Sequence, residues 1–211
     1  MPTAREALLD AALAALSRHP WSAVRMADLA AAARVSRQTL YNEFGSKEGL
    51  ARALVRHEAD AYLDGVRRLL AGSEPNARTL AAVAEWTVAR AGDRPILRSL
   101  LTGAWTEGLP RPRPVRPGAP LAPVPAQRRA DGGPPAPGEL LATTARCAGE
   151  RWAAGCELAL RLALSHVVAP ALPPEGQCAE PDSWRPMTPT MTRLIETILS
   201  VETRSPRNTM P

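Results

Sequence analysis

Residues 24–50 read VRMADLAAAARVSRQTLYNEFGSKEGL, and the reading of this stretch decides the fold. Met26, Leu29 and Ala30 fall on one helical face, which predicts a short helix over about 26–33. Arg34-Val35-Ser36 reads as a turn, and Ser36 is a good cap for a second short helix over 37–43. Two short helices joined by a tight turn make a helix-turn-helix. The pattern buries Leu29 against Leu40 and Phe44, with Val35 plugging the turn. It leaves the second helix a polar face of Arg37, Gln38, Thr39, Tyr41 and Asn42. Such a helix enters a DNA major groove with its N-terminal residues toward the base edges. Arg pairs with guanine, Gln with adenine, and a Thr methyl meets a thymine methyl. Ser36, Tyr41 and Lys47 are expected to reach phosphates, which position a protein without reading sequence. Lys47 falls in the first turn of the next helix, where its charge adds to free backbone N–H groups.

Outward from this core, residues 3–17 read as a helix with Leu8, Leu9, Ala12, Leu13 and Leu16 as its apolar stripe. Thr3 followed three residues later by Glu6 is a capping-box pattern. Gly45-Ser46 breaks the second short helix, and Ser46 can cap a long helix running to about Leu70. Its apolar face is expected at Leu50, Leu54, Ala61, Val66 and Leu69 or Leu70. Further helices are expected at 76–91, 95–106, 139–168 (clearest over Glu157–Val168) and 190–202, with no strand and no repeat. The fold class is therefore all-α. A helix-turn-helix head spans 1–45, and a helical domain spans 46–205.

The ordered set Leu29-Ala30, Ala33, Val35-Ser36, Thr39-Leu40-Tyr41, Phe44, Ser46-Lys47 and Leu50, preceded by one helix of matching length, resembles TetR-type (tetracycline-repressor-like) transcriptional regulators. The resemblance is strong over about 5–70 and architectural beyond. It implies a three-helix DNA-binding head and a helical domain that binds a small-molecule effector and forms a homodimer, usually through its last two long helices, here about 150–168 and 190–202. It implies a cytoplasmic repressor acting on a palindromic double-stranded DNA operator. The expected DNA-contacting residues are Arg25, Arg34, Ser36, Arg37, Gln38, Thr39, Tyr41, Asn42 and Lys47. Three positions depart from the family pattern. Arg25 stands where a Thr cap is usual, a loss of about 1 kcal/mol. Arg34 stands where Gly is usual, at roughly 1 kcal/mol if its backbone is left-handed. Glu43 stands where a His or similar residue is usual, and is expected to point away from DNA or to pair with an Arg.

Composition limits the alternatives. The 211 residues carry a formal net charge of +5. Residues 108–138 alone hold five Arg and one Asp, so a nucleic-acid reading must rest on the local motif and not on overall charge. Ten prolines lie between Pro110 and Pro137, which predicts a disordered, polyproline-like insertion. Two other readings of 108–138 stand beside it: a basic arm through Arg111, Arg113, Arg116, Arg128 and Arg129, or translation out of frame, with family-like sequence resuming near Glu157. A second Pro-rich loop is expected over 170–189. No apolar run is long enough for a membrane span, and the N-terminus lacks an apolar signal core, so a cytosolic address is expected. Cys147, Cys156 and Cys178 fit neither a zinc nor a disulfide spacing, and no metal or cofactor is expected. No Ser-His-Asp order, glycine-rich phosphate loop or His/Cys cluster marks an enzyme. Trp86, Trp105, Trp152 and His166 are the expected effector-pocket residues, each equally suited to ordinary core. An effectorless dimeric DNA-binding protein and a helical ligand-binding protein without DNA binding are the competing functions.

Overall fold

The structure is a computed structural model that describes residues 3–72, 74–112, 134–169 and 186–204. Among them are nine α-helices and no strand: α1 (Ala4–Leu16), α2 (Met26–Ala32), α3 (Arg37–Phe44), α4 (Lys47–Leu70), α5 (Ala77–Asp93), α6 (Pro95–Thr102), α7 (Pro137–Cys147), α8 (Glu150–Val168) and α9 (Pro189–Arg204). None of the described helices is long and apolar enough to cross a membrane, and no described His/Cys/Asp/Glu group could hold a metal ion.

The chain divides into two compact units, residues 1–61 with 103–136, and 62–102 with 137–211. The dividing point lies inside α4, not at residue 46. Gly45-Ser46 ends one helix and begins another, but the first turns of α4 bury Leu50, Leu54 and Val55 as part of the N-terminal unit's core.

In the N-terminal unit, α1, α2 and α3 pack pairwise on one another. Leu8, Leu9 and Ala12 of α1, Leu29 and Ala30 of α2, and Leu40 and Phe44 of α3 are all buried. The capping box on α1 is present: Glu6 N–H donates to Thr3 Oγ1 at 3.2 Å, and Thr3 N–H donates to the Glu6 carboxylate at 2.7 Å. That backbone N–H, helped by the Thr3 hydroxyl, holds the Glu6 carboxyl below its usual pKa. Ser46 caps α4 by accepting from Gly49 N–H at 3.1 Å. Glycine is needed at 49, because a Cβ there would lie 1.9 Å from the Phe44 carbonyl oxygen.

In the second unit, α5 is central and packs on α6, α8 and α9, while α7 packs on α6 and α8. The Thr192 hydroxyl of α9 donates to the Glu85 carboxylate of α5. The last turns of α4 contribute Tyr62, Gly65 and Val66, and of the two candidate leucines Leu70 is buried and Leu69 exposed. Tyr62 stacks on Trp86 with ring centroids 5.5 Å apart and planes 18° apart. A Cβ at Gly65 would meet the Trp86 ring at 2.1 Å, so this glycine makes room for the indole.

Three helix boundaries differ from expectation. The helix expected over 95–106 ends at Thr102, because Gly103 turns to φ 75°. The stretch 139–168 is two helices, divided at Gly149 with φ 79°. The first of them starts at Pro137, two residues before the expected 139 and inside the segment expected to be disordered, because Leu140, Leu141, Thr144 and Ala145 form one buried face that holds the helix from its first turn. Of the segment 108–138, with its disordered, basic-arm and out-of-frame readings, residues 113–133 lie outside the described residues, and of the loop expected over 170–189, residues 170–185 do.

Two outcomes follow. Gly49→Ala must displace backbone at the α3–α4 junction, and thermal unfolding should show a loss of about 1–3 kcal/mol, the usual range for overpacking. Burial pushes the Tyr62 phenol up to about 12, with a weaker opposing pull from the Thr87 and Thr144 hydroxyls. The folded state therefore favours the neutral phenol. Its stabilising contribution is complete below pH about 10 and is lost as pH rises toward 12. Burial pushes the Cys156 thiol up to about 12 as well, and its contribution starts to fall from pH about 9. Unfolding midpoints should fall from pH 9 upward, and Tyr62→Phe should flatten the part above pH 10.

Candidate nucleic-acid interface

Helix α2 ends on a complete Schellman closure. Val35 N–H donates to Ala30 O at 3.0 Å and Arg34 N–H donates to Ala31 O at 3.1 Å. This closure forces Arg34 to φ 57°, the one described non-glycine residue with positive φ. Arg34 thus adopts the left-handed backbone that glycine would take more cheaply, and the two hydrogen bonds hold it there. Its side chain is exposed beside the turn, and Val35 is half-buried.

Ser36 begins α3 as its N-cap, with its hydroxyl oxygen accepting from Thr39 N–H at 3.0 Å. Ser36 Oγ and Thr39 Oγ1 are themselves 2.8 Å apart. Leu40 and Phe44 point inward, while Arg37, Gln38, Tyr41 and Asn42 are exposed and Thr39 is half-buried. Gln38 Nε2 donates to Asn42 Oδ1 at 2.8 Å, one helical turn on. The pair holds two amide side chains on the exposed face with donors and acceptors left over for base edges. Gly45, at φ 70°, ends the helix, and its N–H closes on Tyr41 O at 2.8 Å.

Arg25 is the N-cap residue of α2, exposed and without a side-chain cap, as its sequence position suggested. Glu43 pairs with Arg5 of α1, Nη1 to Oε2 at 3.6 Å, and the Arg5 guanidinium lies 4.8 Å from the centre of the Phe44 ring. The acid is thereby turned toward α1. Lys47 is placed differently from the expectation of a free phosphate ligand. Its Nζ donates to Val24 O at 2.6 Å and to Ser22 O at 3.3 Å. It also stands 5.2 Å from the centre of the Trp21 ring. Eight of the nine expected DNA contacts thus lie on α3, on the turn before it or at the start of α2, and Lys47 reaches inward. Sequence reading missed both Arg5 and Trp21. Neither carries a local signal, because each acts on a residue far along the chain.

The four expected effector residues are divided between the two units. Trp105 belongs to the N-terminal unit, whereas Trp86, Trp152 and His166 belong to the second. Trp86 is engaged by Tyr62, and the Arg90 guanidinium lies 5.7 Å from its ring centre. His166 is buried on α8. Trp152 lines a surface groove of about 470 Å³ with Arg78, Arg151 and Glu196 among its neighbours.

The two short helices, the tight turn between them and the exposed polar face of α3 make a helix-turn-helix, an arrangement that suits DNA binding. The family model for bacterial regulatory proteins of the tetR family matches residues 8–54. The chain is 40% identical over 101 residues to the HTH-type transcriptional regulator AlkX of Mycobacterium tuberculosis, covering 47% of each chain. It is 38% identical over 81 residues to the HTH-type transcriptional repressor LfrR of Mycolicibacterium smegmatis, covering 38% of this chain and 42% of LfrR. These matches span under half the length of each curated relative. A solved structure, the TetR family repressor AlkX from Dietzia sp. strain DQ12-45-1b, aligns over 95% of both chains at 23% identity and TM-score 0.48. Over residues 8–54 the chain is thus similar to the head of tetR-family regulators.

The cap makes a direct test. Ser36→Ala removes the acceptor for Thr39 N–H and should lower stability by about 1 kcal/mol. The thermal midpoint would register this, and an unchanged midpoint would mean the cap contributes nothing.

Proposed function

We propose that the protein is a transcriptional regulator, not an enzyme, that binds double-stranded DNA in the cytoplasm and represses as a homodimer on a palindromic operator. The observation that carries this reading is α3, a capped helix that buries Leu40 and Phe44 and presents Arg37, Gln38, Tyr41 and Asn42 outward within the matched head. In this reading Arg37, Gln38, Thr39 and Asn42 face base edges. Arg25, Arg34, Ser36 and Tyr41 lie at the flanking phosphates. The Ser36 hydroxyl can accept from its own helix and still donate outward.

The dimer reading is supported by the last two helices. Leu194 and Val201 of α9, seven residues apart and so on one face, are 49% and 63% exposed, and Val168 at the end of α8 is 71% exposed. Large exposed apolar side chains at this spacing suit a second copy of the same helices. Two heads joined in this way would each read one half-site. A small-molecule effector is supported by the groove at Trp152, where an aromatic face lies beside Arg78 and Arg151. An effector would act by changing the separation of the two heads, so that one half-site loses contacts.

Selection of binding sites from random DNA tests the reading. The expected product is a palindrome with two half-sites. A single half-site would reject the dimer, and no enrichment would reject sequence-specific binding. Gln38→Ala or Thr39→Ala should relax base preference at one position per half-site, with a loss of about 1–3 kcal/mol where a paired base contact is removed. Equal weakening on every sequence would remove these residues from base readout.

A further inference from the structure

The N-terminal unit includes a stretch of chain that follows α6. Residues 103–112 belong to the same compact unit as residues 1–61. Within that stretch Thr106–Leu109 make a tight turn, closed by Leu109 N–H on Thr106 O at 3.4 Å. Its third residue, Gly108, sits at φ 92°, the sign that a type II turn requires there. The carbonyl of this glycine accepts from Trp21 N–H at 2.7 Å. Trp21 opens the short 3-10 turn Trp21–Ala23 in the connection between α1 and α2. The first residue of such a turn has an N–H that the turn itself cannot satisfy, and Gly108 supplies the acceptor. The approach is close: a Cβ at 108 would stand 3.4 Å from Pro20 Cβ and 3.7 Å from Pro20 Cα. Pro110, just beyond, is buried.

We propose that this turn is a positioning element for DNA binding: Gly108 fixes the α1–α2 connection, and through it the place where α2 begins. The proposal rests on the DNA-binding reading above. Trp21 stands one short turn before Arg25, the N-cap residue of α2, and Val24 between them is buried. Helix α2 has seven residues and no side-chain cap, so little within it sets its first turn. The backbone that leads into it is held by Gly108 instead. Helix α2 packs directly on α3, so a shift in where α2 begins is carried to α3. Base-edge contacts need paired donors and acceptors in fixed register, whereas attraction to phosphates is independent of sequence. Loosening the turn therefore costs discrimination between sequences more than it costs attraction to DNA in general. The head is then built from two stretches of chain, the second lying beyond α6.

Two measurements test this. The first compares Gly108→Val with Gly108→Asn in the full chain. Both add a Cβ at the same place, but Asn adopts positive φ readily whereas a β-branched residue does not. Affinities for the selected operator and for an unrelated duplex of equal length are measured where circular dichroism shows each protein folded. The ratio of the two should fall about tenfold in Gly108→Val, the size of a left-handed backbone penalty, and stay within about threefold of wild type in Gly108→Asn. A head that is merely less stable would lose both affinities in equal proportion. That outcome, or an unchanged ratio in Gly108→Val, would overturn the proposal. The second measurement uses wild-type protein and so does not depend on a variant folding. Amide exchange followed by NMR should show the Trp21 N–H exchanging far more slowly than the amides of exposed residues, although it opens its turn. Exchange at the rate of an exposed amide would overturn the proposal. Failure of wild type to select any operator would reject the DNA-binding reading instead, and the Trp21 amide would still decide whether the turn holds the connection.

Discussion

Helices of seven and eight residues do not persist in water alone, because nucleation is unfavourable and few bonds follow it. Everything that α3 presents to its surroundings therefore depends on the apolar side chains beneath it. Leu29, Ala30, Leu40 and Phe44 are buried with Leu8, Leu9 and Ala12 of α1 and Leu50 and Leu54 of α4. Burying a leucine or phenylalanine contributes about 1.5–3 kcal/mol each. That burial lets a helix of eight residues devote its outer face to polar groups. The tight junctions serve the same end. Arg34 accepts a left-handed backbone to close α2, and Gly49 lets α4 begin against the Phe44 carbonyl.

The charges of the head fall into two groups. Arg25, Arg34 and Arg37 are exposed near α3. Arg5 and Lys47 are turned inward, one toward Glu43 and Phe44, the other toward two carbonyls and Trp21. The inward pair meets groups of the protein itself, and the outward set faces solvent. The field around α3 is therefore local, set by which arginines are left outside and not by the net charge of the chain.

The core of the second unit holds a group of aromatic and hydroxyl contacts. Tyr62, Thr87 and Val83 form a buried chain. The Thr87 hydroxyl donates to Val83 O at 2.8 Å, so the Tyr62 hydroxyl, 3.1 Å away, donates to Thr87. Trp86 lies flat on Tyr62 over the space left by Gly65. A buried phenol so held remains neutral across the physiological range, which is why its effect on stability is confined to high pH.

The sequence by itself determined the head. Its helices, the Ser36 cap, the Thr3–Glu6 box and the exposed face of α3 all follow from period, caps and breakers acting within a few residues of one another. It also determined the cost at Arg34, because a left-handed turn is a local requirement. What only the tertiary structure decided acts across the chain. The pairing of Arg5 with Glu43 spans α1 and α3, and the hold of Lys47 on Ser22 and Val24 spans the α1–α2 connection and α4. The assignment of Trp105 and Trp86 to different units, and the division of the chain inside α4, are likewise decided by packing. Periodicity shows which face of a helix is apolar. It does not show which distant backbone or ring that face, or a charge at its edge, will meet once the helices pack.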